Sequence, residues 1–286
     1  MPLGTIAIVL IAAIAHAVWN TVSKYKRGDT VLFVWSYTVA STLLCVPIGV
    51  AFVTTGAQSV SWQLVLGSIV SAVLHAAYSL TLQTGYDRSE LGVVYPIARG
   101  TGPVLTMLFA ILILGERLSG AATLGAITIV TGIVLVAGNP LRFGGRQSLM
   151  GVLWGGATGA TIAGYTVWDS YSITSLHLNP VTYYAGTLLL QSLILTRSAL
   201  HRRDDIRSIV RDNSGPILTI AVLSPLAYIL VLIAMQTAPI ALVAPLRESS
   251  IVIGSLLAWR LFHEHHLARR IGGAAIVLVG IAAISL

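Results

Sequence analysis

The sequence has little charge and almost no cysteine. Only 9% of its 286 residues are charged, against about 25% in soluble domains, which is too little to cover the surface of a soluble protein of this size. The apolar fraction of 56% excludes disorder, which needs low hydrophobicity together with high charge. Cys45 is the single cysteine, and this excludes a disulfide scaffold. An integral membrane protein is the class that remains.

The sequence also lacks the motifs of nucleotide chemistry and of hydrolysis. It has no Walker loop, and neither GxSxG nor GxGxxG occurs between a strand and a helix. We therefore expect no enzyme, no catalytic residues and no cofactor. The segment 263–266, His-Glu-His-His, is not HExxH, and we expect no metal there. The net charge of +7 is expected to reflect membrane topology and anionic lipid, with no nucleic acid as a partner.

Ten apolar runs are long enough to cross the hydrocarbon core, which takes about 20 residues per helix. They are longer than the strands of a membrane barrel and do not alternate, so we predict an all-α polytopic membrane protein with ten transmembrane helices. The first run is predicted to be a retained helix, because the basic segment of a cleaved signal is missing. The predicted spans are 3–23, 31–54, 62–84, 91–114, 120–138, 149–171, 179–197, 216–236, 240–261 and 269–286.

Basic residues are concentrated in alternate connections between these runs. Connections that follow odd-numbered helices carry eleven lysines and arginines, and the other connections carry four. The positive-inside rule therefore places the odd connections in the cytoplasm and both termini in the periplasm of a bacterial inner membrane. The eleven are Lys24, Lys26, Arg27, Arg88, Arg142, Arg146, Arg197, Arg202, Arg203, Arg207 and Arg211.

The second half of the sequence repeats features of the first at a nearly constant offset. The tripeptide Val-Trp-Asn at 18–20 matches Val-Trp-Asp at 167–169, and Pro96 matches Pro245, each 149 residues apart. The repeat unit holds five helices, an odd number, so its second copy enters the membrane in the opposite orientation. Inverted repeats are typical of transporters whose binding site lies between the halves.

The segment from Pro96 to Leu118, which ends in LGERL, resembles the signature of EamA-type carriers of the drug/metabolite transporter superfamily. A degenerate copy follows Pro245, and its Glu264 matches Glu116 at an offset of 148. The resemblance covers nearly the whole chain. It implies two inverted EamA-like five-helix repeats, at 1–140 and 141–286, around a central cavity, and transport of a small metabolite. The stretch at 95–100 also resembles a subgroup found near phosphonate-utilisation functions.

Ionisable side chains at membrane depth are costly and point to a functional site. Those inside the predicted spans form a slightly cationic set: His16, His75, Arg99, Asp169, Arg247 and Glu248. Arginine suits carboxylate, phosphate and phosphonate groups, so we predict an anionic or zwitterionic substrate, such as an amino acid, an organic acid or an aminophosphonate. The alternative is a structural ion pair between Arg99 and Glu248, which occupy matching positions in the two halves.

Polar and aromatic residues on the same helices complete the predicted site. The alternative role for the polar residues is hydrogen bonding between helices. The alternative location for the two tryptophans is the aromatic belt at the membrane interface. The predicted substrate-binding residues are His16, Trp19, Asn20, His75, Tyr78, Arg99, Trp168, Asp169, Tyr228, Arg247 and Glu248. Prolines leave backbone carbonyls without an N–H partner, so prolines inside the helices are predicted to act as hinges. The predicted hinges are Pro96, Pro103 and Pro245, and the alternative is that each forms a static kink.

We therefore predict a secondary carrier that works by alternating access in the lipid bilayer, as a monomer or a weak homodimer. Its partners are a small-molecule substrate and, as a candidate coupling ion, the proton, with Asp169 and Glu248 as candidate proton carriers. The first alternative is an exporter of cationic or hydrophobic amines that uses the same two carboxylates. The others are a channel, an intramembrane enzyme and a non-transporting membrane assembly subunit.

Overall fold

The computed structural model consists of packed α-helices. It describes residues 1–23, 25–89, 91–137, 146–250, 252–253 and 267–285, and no strand occurs among these residues. The helices are α1 (Leu3–Ser23), α2 (Thr30–Thr54), α3 (Trp62–Arg88), α4 (Leu91–Leu112), α5 (Gly120–Ala137), α6 (Arg146–Thr174), α7 (Pro180–Leu200), α8 (Arg203–Asp212), α9 (Ser214–Met235), α10 (Ile240–Arg247) and α11 (Leu267–Ser285).

Polar side chains in the short connections fix where several helices begin. Asp29 accepts a hydrogen bond from the backbone N–H of Leu32 at 2.9 Å, at the start of α2. Asn179 accepts from the N–H groups of Val181 and Thr182 at the start of α7. Such acceptors satisfy N–H groups that the first turn of a helix leaves unpaired. The helix starts are therefore encoded by single polar residues at the ends of the apolar runs.

The helices pack in a pattern that relates the first half of the chain to the second. Helices α1 to α5 correspond in order to α6, α7, α9, α10 and α11. The contact of α1 with α9 is matched by that of α6 with α3, the contact of α2 with α9 by that of α7 with α3, and the contact of α4 with α6 by that of α10 with α1. Each of α2, α4 and α5 also packs against its own counterpart. This pairing is the pattern of two five-helix units related by an approximate two-fold axis.

Glycines allow α5 and its counterpart α11 to pack with their backbones in contact. A Cβ atom on Gly132 of α5 would lie 2.8 Å from the carbonyl oxygen of Gly273 on α11. In the matching contact, a Cβ atom on Gly280 of α11 would lie 2.7 Å from the carbonyl oxygen of Gly125. Small residues of this kind permit close helix pairs in membranes, where packing drives association.

The connections between helices form two groups, and the first group joins the α1–α2 loop to the segment around α8. The side chain of Asn213 accepts from the N–H of Arg27 at 2.8 Å and donates to the carbonyl of the same residue at 3.1 Å. Arg202 forms an ion pair with Asp29. These two connections therefore lie on the same face of the helix bundle, which we call the first face.

The second group of connections lies together on a second face. Gln58, before α3, accepts from the N–H of Asn179, before α7, at 2.7 Å. Thr5, near the N-terminus, hydrogen-bonds Thr237, before α10, at 2.9 Å. The loop after α4 also reaches the start of α10 through Glu116. Where these contacts describe them, the connections that follow odd-numbered predicted spans lie on the first face. Those that follow even-numbered spans lie on the second face.

Two elements differ from the sequence prediction. The arginine-rich stretch at 197–212 was expected to be a charged connection, but it includes the helix α8, because Ile209 on its apolar side is buried against Gly28. The predicted ninth span, 240–261, is interrupted, because α10 ends at Arg247 and residues 248–249 form a turn. Residues 254–266, including Glu264 in the second signature, lie outside the described residues.

Within the part of the chain that the structure describes, four helices are long and apolar enough to cross a membrane, at Leu3–Ser23, Thr30–Thr54, Trp62–Leu82 and Ser214–Met235. Shorter apolar stretches lie at Ile97–Leu112, Gly120–Gly132 and Ile271–Ala283. Large apolar side chains point outward from the long helices, with Leu43 exposed by 71% and Leu218 by 62%. Apolar surface of this extent is unfavourable in water and is expected to face lipid. The number of ten spans stays a prediction.

Candidate functional site

Two arginines converge on one glutamate where the two halves meet. Arg99 of α4 donates from Nη1 to Oε2 of Glu248 at 3.0 Å. Arg247 donates to Oε1 of the same carboxylate, from Nε at 3.0 Å and from Nη2 at 2.9 Å. All three side chains are buried, and Glu248 has no exposed surface. We call these three residues the arginine cluster. It includes the Arg99–Glu248 ion pair that the matching sequence positions indicated, and it carries one excess positive charge.

The end of α10 places Arg247 and Glu248 in this position. The N–H groups of Glu248 and Ser249 bond to the carbonyls of Pro245 and Leu246, so the chain turns more tightly here than in an α-helix. Neighbouring residues of a regular helix do not point at each other, and this turn is where the two adjacent side chains meet. The interruption of the helix therefore coincides with the arginine cluster.

The three predicted hinge prolines lie in different surroundings. Pro245 is buried and precedes the end of α10 by two residues. Pro103 is buried within α4, and Pro96 lies in the same helix, which continues without a break from Leu91 to Leu112. The matched prolines of the two halves are thus followed by an interrupted helix in one half and by a continuous helix in the other.

Glu116 holds the opposite end of α10. Its Oε1 accepts from the N–H of Ile240 and its Oε2 from the N–H of Ala241, both at 3.0 Å. A carboxylate at this end of a helix satisfies two unpaired donors and interacts favourably with the helix dipole. The glutamate of the first LGERL signature is therefore a helix cap that joins the first half of the chain to the second.

Asp169 of α6 is the centre of a second buried cluster, and it has no exposed surface. Tyr183 donates to its Oδ1 at 2.6 Å, and Tyr228 donates to its Oδ2 at 2.5 Å. Nε2 of His75 lies 3.1 Å from Oδ2. These partners belong to α7, α9 and α3, so four helices meet at one carboxylate. We call the four residues the aspartate cluster. Its hydrogen bonds offset the cost of removing a carboxylate from water.

Two adjacent residues of α6 connect the aspartate cluster with the arginine cluster. The ring of Tyr165 stacks on that of His75, with centroids 4.2 Å apart, and the ring of Tyr78 meets Tyr165 edge-on at 5.5 Å. The next residue, Thr166, accepts a long hydrogen bond of 3.5 Å from Arg247. The two ionic clusters therefore lie next to each other along α6.

Helix α1 brings Asn20 to the arginine cluster, and two other polar atoms of this helix lack partners among the described residues. The Oδ1 atom of Asn20 lies 3.5 Å from Nη2 of Arg99, and its amide nitrogen donates to the carbonyl of His16. The rings of His16 and Trp19 meet edge-on, with centroids 4.8 Å apart. Nε2 of His16 and Nε1 of Trp19 are buried without a hydrogen-bond partner among the described residues. Such atoms are uncommon, and a bound polar group could supply their missing partners.

Trp168, the counterpart of Trp19, uses its N–H to join two helices. Its Nε1 donates to the backbone carbonyl of Gly67 on α3 at 3.0 Å. The ring lies near Tyr171, a half-exposed residue on the same helix. The structure therefore gives Trp168 a role in holding α6 to α3, and it does not bring the indole N–H to the arginine cluster.

The structure adds residues that the sequence analysis did not select. Tyr165 lies 149 residues after His16, so the offset between the halves could have identified it. Tyr183 is the first of three buried polar residues at helical spacing on α7, followed by Thr187 and Gln191, and that spacing was also visible in the sequence. No group of three metal-ligand side chains occurs among the described residues. The segment 263–266 lies outside them.

Comparison with known protein families matches both halves of the chain. The EamA-like transporter family matches at residues 3–138 and again at 149–286. The chain belongs to the EamA-like transporter family. This confirms the resemblance that the LGERL signature carried, and the two matches correspond to the two halves of the fold. This EamA-like protein is therefore an integral membrane protein and a transporter of the drug/metabolite superfamily.

A solved structure shares the fold of this EamA-like transporter. It is described as a "Crystal structure of protein" and aligns over 99% of this chain and 96% of its own length, with a TM-score of 0.76 and 15% sequence identity. An alignment at this identity reports on the fold alone. The two-repeat helical architecture is thus shared over the whole chain.

Proposed function

We propose that this EamA-like transporter is a secondary carrier of a small anionic or zwitterionic metabolite, such as an amino acid, an organic acid or an aminophosphonate. The observation that carries the proposal is the sharing of one buried glutamate by Arg99 and Arg247. The three residues of the arginine cluster together carry one net positive charge, which favours an anionic group beside the two guanidinium groups. The substrate would bind there, between the two halves.

The unpaired polar atoms of α1 support the same location. Asn20 contacts Arg99, and His16 lies within the electrostatic reach of both arginines. A substrate beside the cluster would supply hydrogen-bond partners to His16 and Trp19 and place its anionic group against a guanidinium fork. Tyr78 would line the same region from α3.

Alternating access between two inverted five-helix repeats is the mechanism we propose. Two features support it: the matched helix contacts of the two halves, and the interruption of α10 beside Pro245. Broken helices at the interface of inverted repeats are typical of carriers. Rocking of one half against the other would bend the chain at this point and expose the arginine cluster to each side of the membrane in turn.

We propose that the first face of the bundle is cytoplasmic and that both termini are periplasmic, in a bacterial inner membrane with ten spans. The grouping of connections supports this topology, because Arg27 and Arg202 lie together on the first face. Arg203, Arg207 and Arg211 belong to α8 on the same face. An excess of basic residues on one face is the signal that orients membrane proteins.

The state of the two buried carboxylates disfavours the export of amines as an alternative. Glu248 already accepts hydrogen bonds from two guanidinium groups, and Asp169 accepts from two tyrosines and contacts His75. A cationic substrate would have to displace these partners. An anion would meet the excess positive charge without displacing one.

A thermal-shift screen of the detergent-purified transporter tests the proposed function. The ligands are amino acids, aminophosphonates, organic acids and amines. We expect saturable stabilisation by one anionic or zwitterionic class, and a loss of that stabilisation in Arg247→Ala. Arg203→Ala is the matched control, because Arg203 is exposed on α8 and should leave binding unchanged. Gel filtration shows whether each variant is folded.

Two results would overturn the proposed function. One is stabilisation by amines with none by any anion or zwitterion, which would make Asp169 and Glu248 the ligand groups. The other is unchanged binding in a folded Arg247→Ala protein, which would remove the arginine cluster from the site.

A further inference from the structure

The aspartate cluster contains a buried histidine–carboxylate pair that the binding of an anion does not require. Nε2 of His75 lies 3.1 Å from Oδ2 of Asp169, and both residues are buried. Histidine is the side chain whose charge changes most readily near neutral pH. An ionisable pair at membrane depth is costly to keep and is usually retained for function. The pair is therefore a candidate for binding a second species besides the substrate.

The donors around Asp169 indicate which atom could gain a proton. Tyr183 and Tyr228 each donate a hydroxyl hydrogen to the carboxylate, and an ionised carboxylate is an acceptor only. Nε2 of His75 must then carry the hydrogen that lies between the two side chains. With these three hydrogen bonds kept, a further proton is gained at Nδ1, which converts the neutral imidazole to imidazolium.

Glu248 is a poor carrier for that proton, although its burial is equally complete. Both of its oxygens accept hydrogen bonds from guanidinium groups, which do not lose their protons in proteins. Protonating Glu248 would remove the carboxylate charge that the two buried guanidinium groups share, at a high cost. Of the two carboxylates singled out in the sequence, only Asp169 thus has a partner whose charge can change.

The three residues of the arginine cluster carry one positive charge, and the aspartate cluster carries one negative charge when His75 is neutral. An anion bound at the arginine cluster adds one negative charge, and a proton on His75 removes it. Five helices, α4, α6, α7, α9 and α10, bring titratable or charged groups near the pair. Some of these groups contact His75 or Asp169, and the others act electrostatically on Tyr165, whose ring stacks on His75. These groups are Tyr165, Tyr183, Tyr184, Tyr228, Arg99, Arg247 and Glu248, together with Tyr78 on the same helix as His75.

We propose that His75 and Asp169 form the proton site of the carrier, and that one proton is gained on His75 for each anionic group bound at the arginine cluster. This inference rests on the proposed function, because the anion is the partner to which the proton is coupled. The two sites communicate along α6, where Thr166 contacts Arg247 and Tyr165 stacks on His75. Coupling of this kind is reciprocal: the anion favours the proton, and the proton favours the anion.

Proton uptake on binding is the direct test. Lactate and isethionate are suitable probes, because both carry one negative charge that stays constant between about pH 5.5 and about pH 8, where histidine titrates. Each is added to the purified transporter in a weakly buffered solution with a pH indicator. We expect about one proton per bound probe, and an affinity that falls by up to about tenfold per pH unit on the alkaline side.

Two variants assign the proton to its site. His75→Gln keeps an N–H toward Asp169, and the binding that it retains should occur without proton uptake and with an affinity independent of pH. His201→Gln is the matched control, since His201 is exposed at the end of α7, and it should behave as the wild type. Binding with unchanged proton uptake in His75→Gln would overturn the proton site and leave the proposed function intact. Failure of every anion and zwitterion to bind would instead overturn the proposed function, and the coupling with it.

Discussion

The two copies of the tryptophan tripeptide, on α1 and on α6, occupy matching positions but differ in how their polar groups are satisfied. On α6, Asp169 has three side-chain partners, and Trp168 donates to a carbonyl of α3. On α1, Asn20 bonds within its own helix, and the N–H of Trp19 has no partner among the described residues. The comparison indicates that the second copy holds helices together, whereas the first has polar groups available to a ligand.

The same two helices also differ in how closely their neighbours approach. Gly159 of α6 lies where a Cβ atom would be 2.7 Å from Cβ of Thr101 on α4. The matching position on α1, 149 residues earlier, is Leu10, a large side chain that packs against the main apolar core. Helix α6 is thus fitted closely against α4, whereas α1 has no glycine at the matching position. We therefore expect movement and ligand binding on the side of the protein that α1 forms.

The largest expected effect is a difference in stability between Asp169→Leu and Asn20→Leu. Removing the carboxylate leaves His75, Tyr183 and Tyr228 without their acceptor, and breaking a buried pair costs about 3–5 kcal/mol. Asn20→Leu should cost only about 1 kcal/mol, because it removes one local hydrogen bond and one long contact with Arg99. Denaturation of the purified variants in detergent measures both. Equal losses in the two variants would contradict the assignment of a structural role to the α6 copy alone.

The packing of α6 predicts the next effect. Gly159→Ala should destabilise the protein by about 1–3 kcal/mol, because the new methyl group overlaps Thr101. Gly156→Ala is the matched control on the same helix, since nothing lies within 4 Å of a Cβ atom at that position, and it should be neutral or slightly stabilising. The melting temperatures of the two variants check the prediction. A Gly159→Ala protein as stable as the wild type would show that α4 and α6 have room to separate.

A turn that occurs in both halves gives a smaller effect. Gly28 has a φ of 75°, and His177, 149 residues later, has a φ of 53°. Gly28→Ala should cost about 1–2 kcal/mol for the backbone and more for the contact, because a Cβ atom would lie 2.6 Å from Cδ1 of Ile209. His177→Gly should stay within about 1 kcal/mol of the wild type, since relief of strain is offset by the greater freedom of the unfolded chain.

Gly56→Ala separates the two contributions at Gly28. Gly56 has a φ of 78°, but nothing lies within 4 Å of a Cβ atom there. Its substitution therefore measures the backbone cost alone. Equal Tm losses for Gly28→Ala and Gly56→Ala would show that α8 moves away from the α1–α2 loop without a measurable cost.

The sequence carried the helical class and the two-unit architecture, because apolar runs and a constant offset are properties of the chain itself. The same offset also paired Arg99 with Glu248. The break at 248–249 was not predictable, because a proline in a membrane helix is compatible with either a kink or an interruption. The second arginine on Glu248 follows from that break. The partners of Asp169 come from three other helices, and a single sequence does not specify which helices meet.

The tryptophans give the smallest effect and the sharpest test of the comparison. Trp168→Phe removes the hydrogen bond to Gly67 and should cost about 1 kcal/mol of stability, with ligand binding unchanged. Trp19→Phe removes a donor that has no partner among the described residues, so stability should not fall. If a substrate accepts a hydrogen bond from this N–H, the affinity for lactate or isethionate should fall by about five- to tenfold in Trp19→Phe. Thermal unfolding and ligand titration of both variants measure the two quantities. The reverse pattern, with Trp168 affecting binding and Trp19 affecting stability, would exchange the roles assigned to α1 and α6.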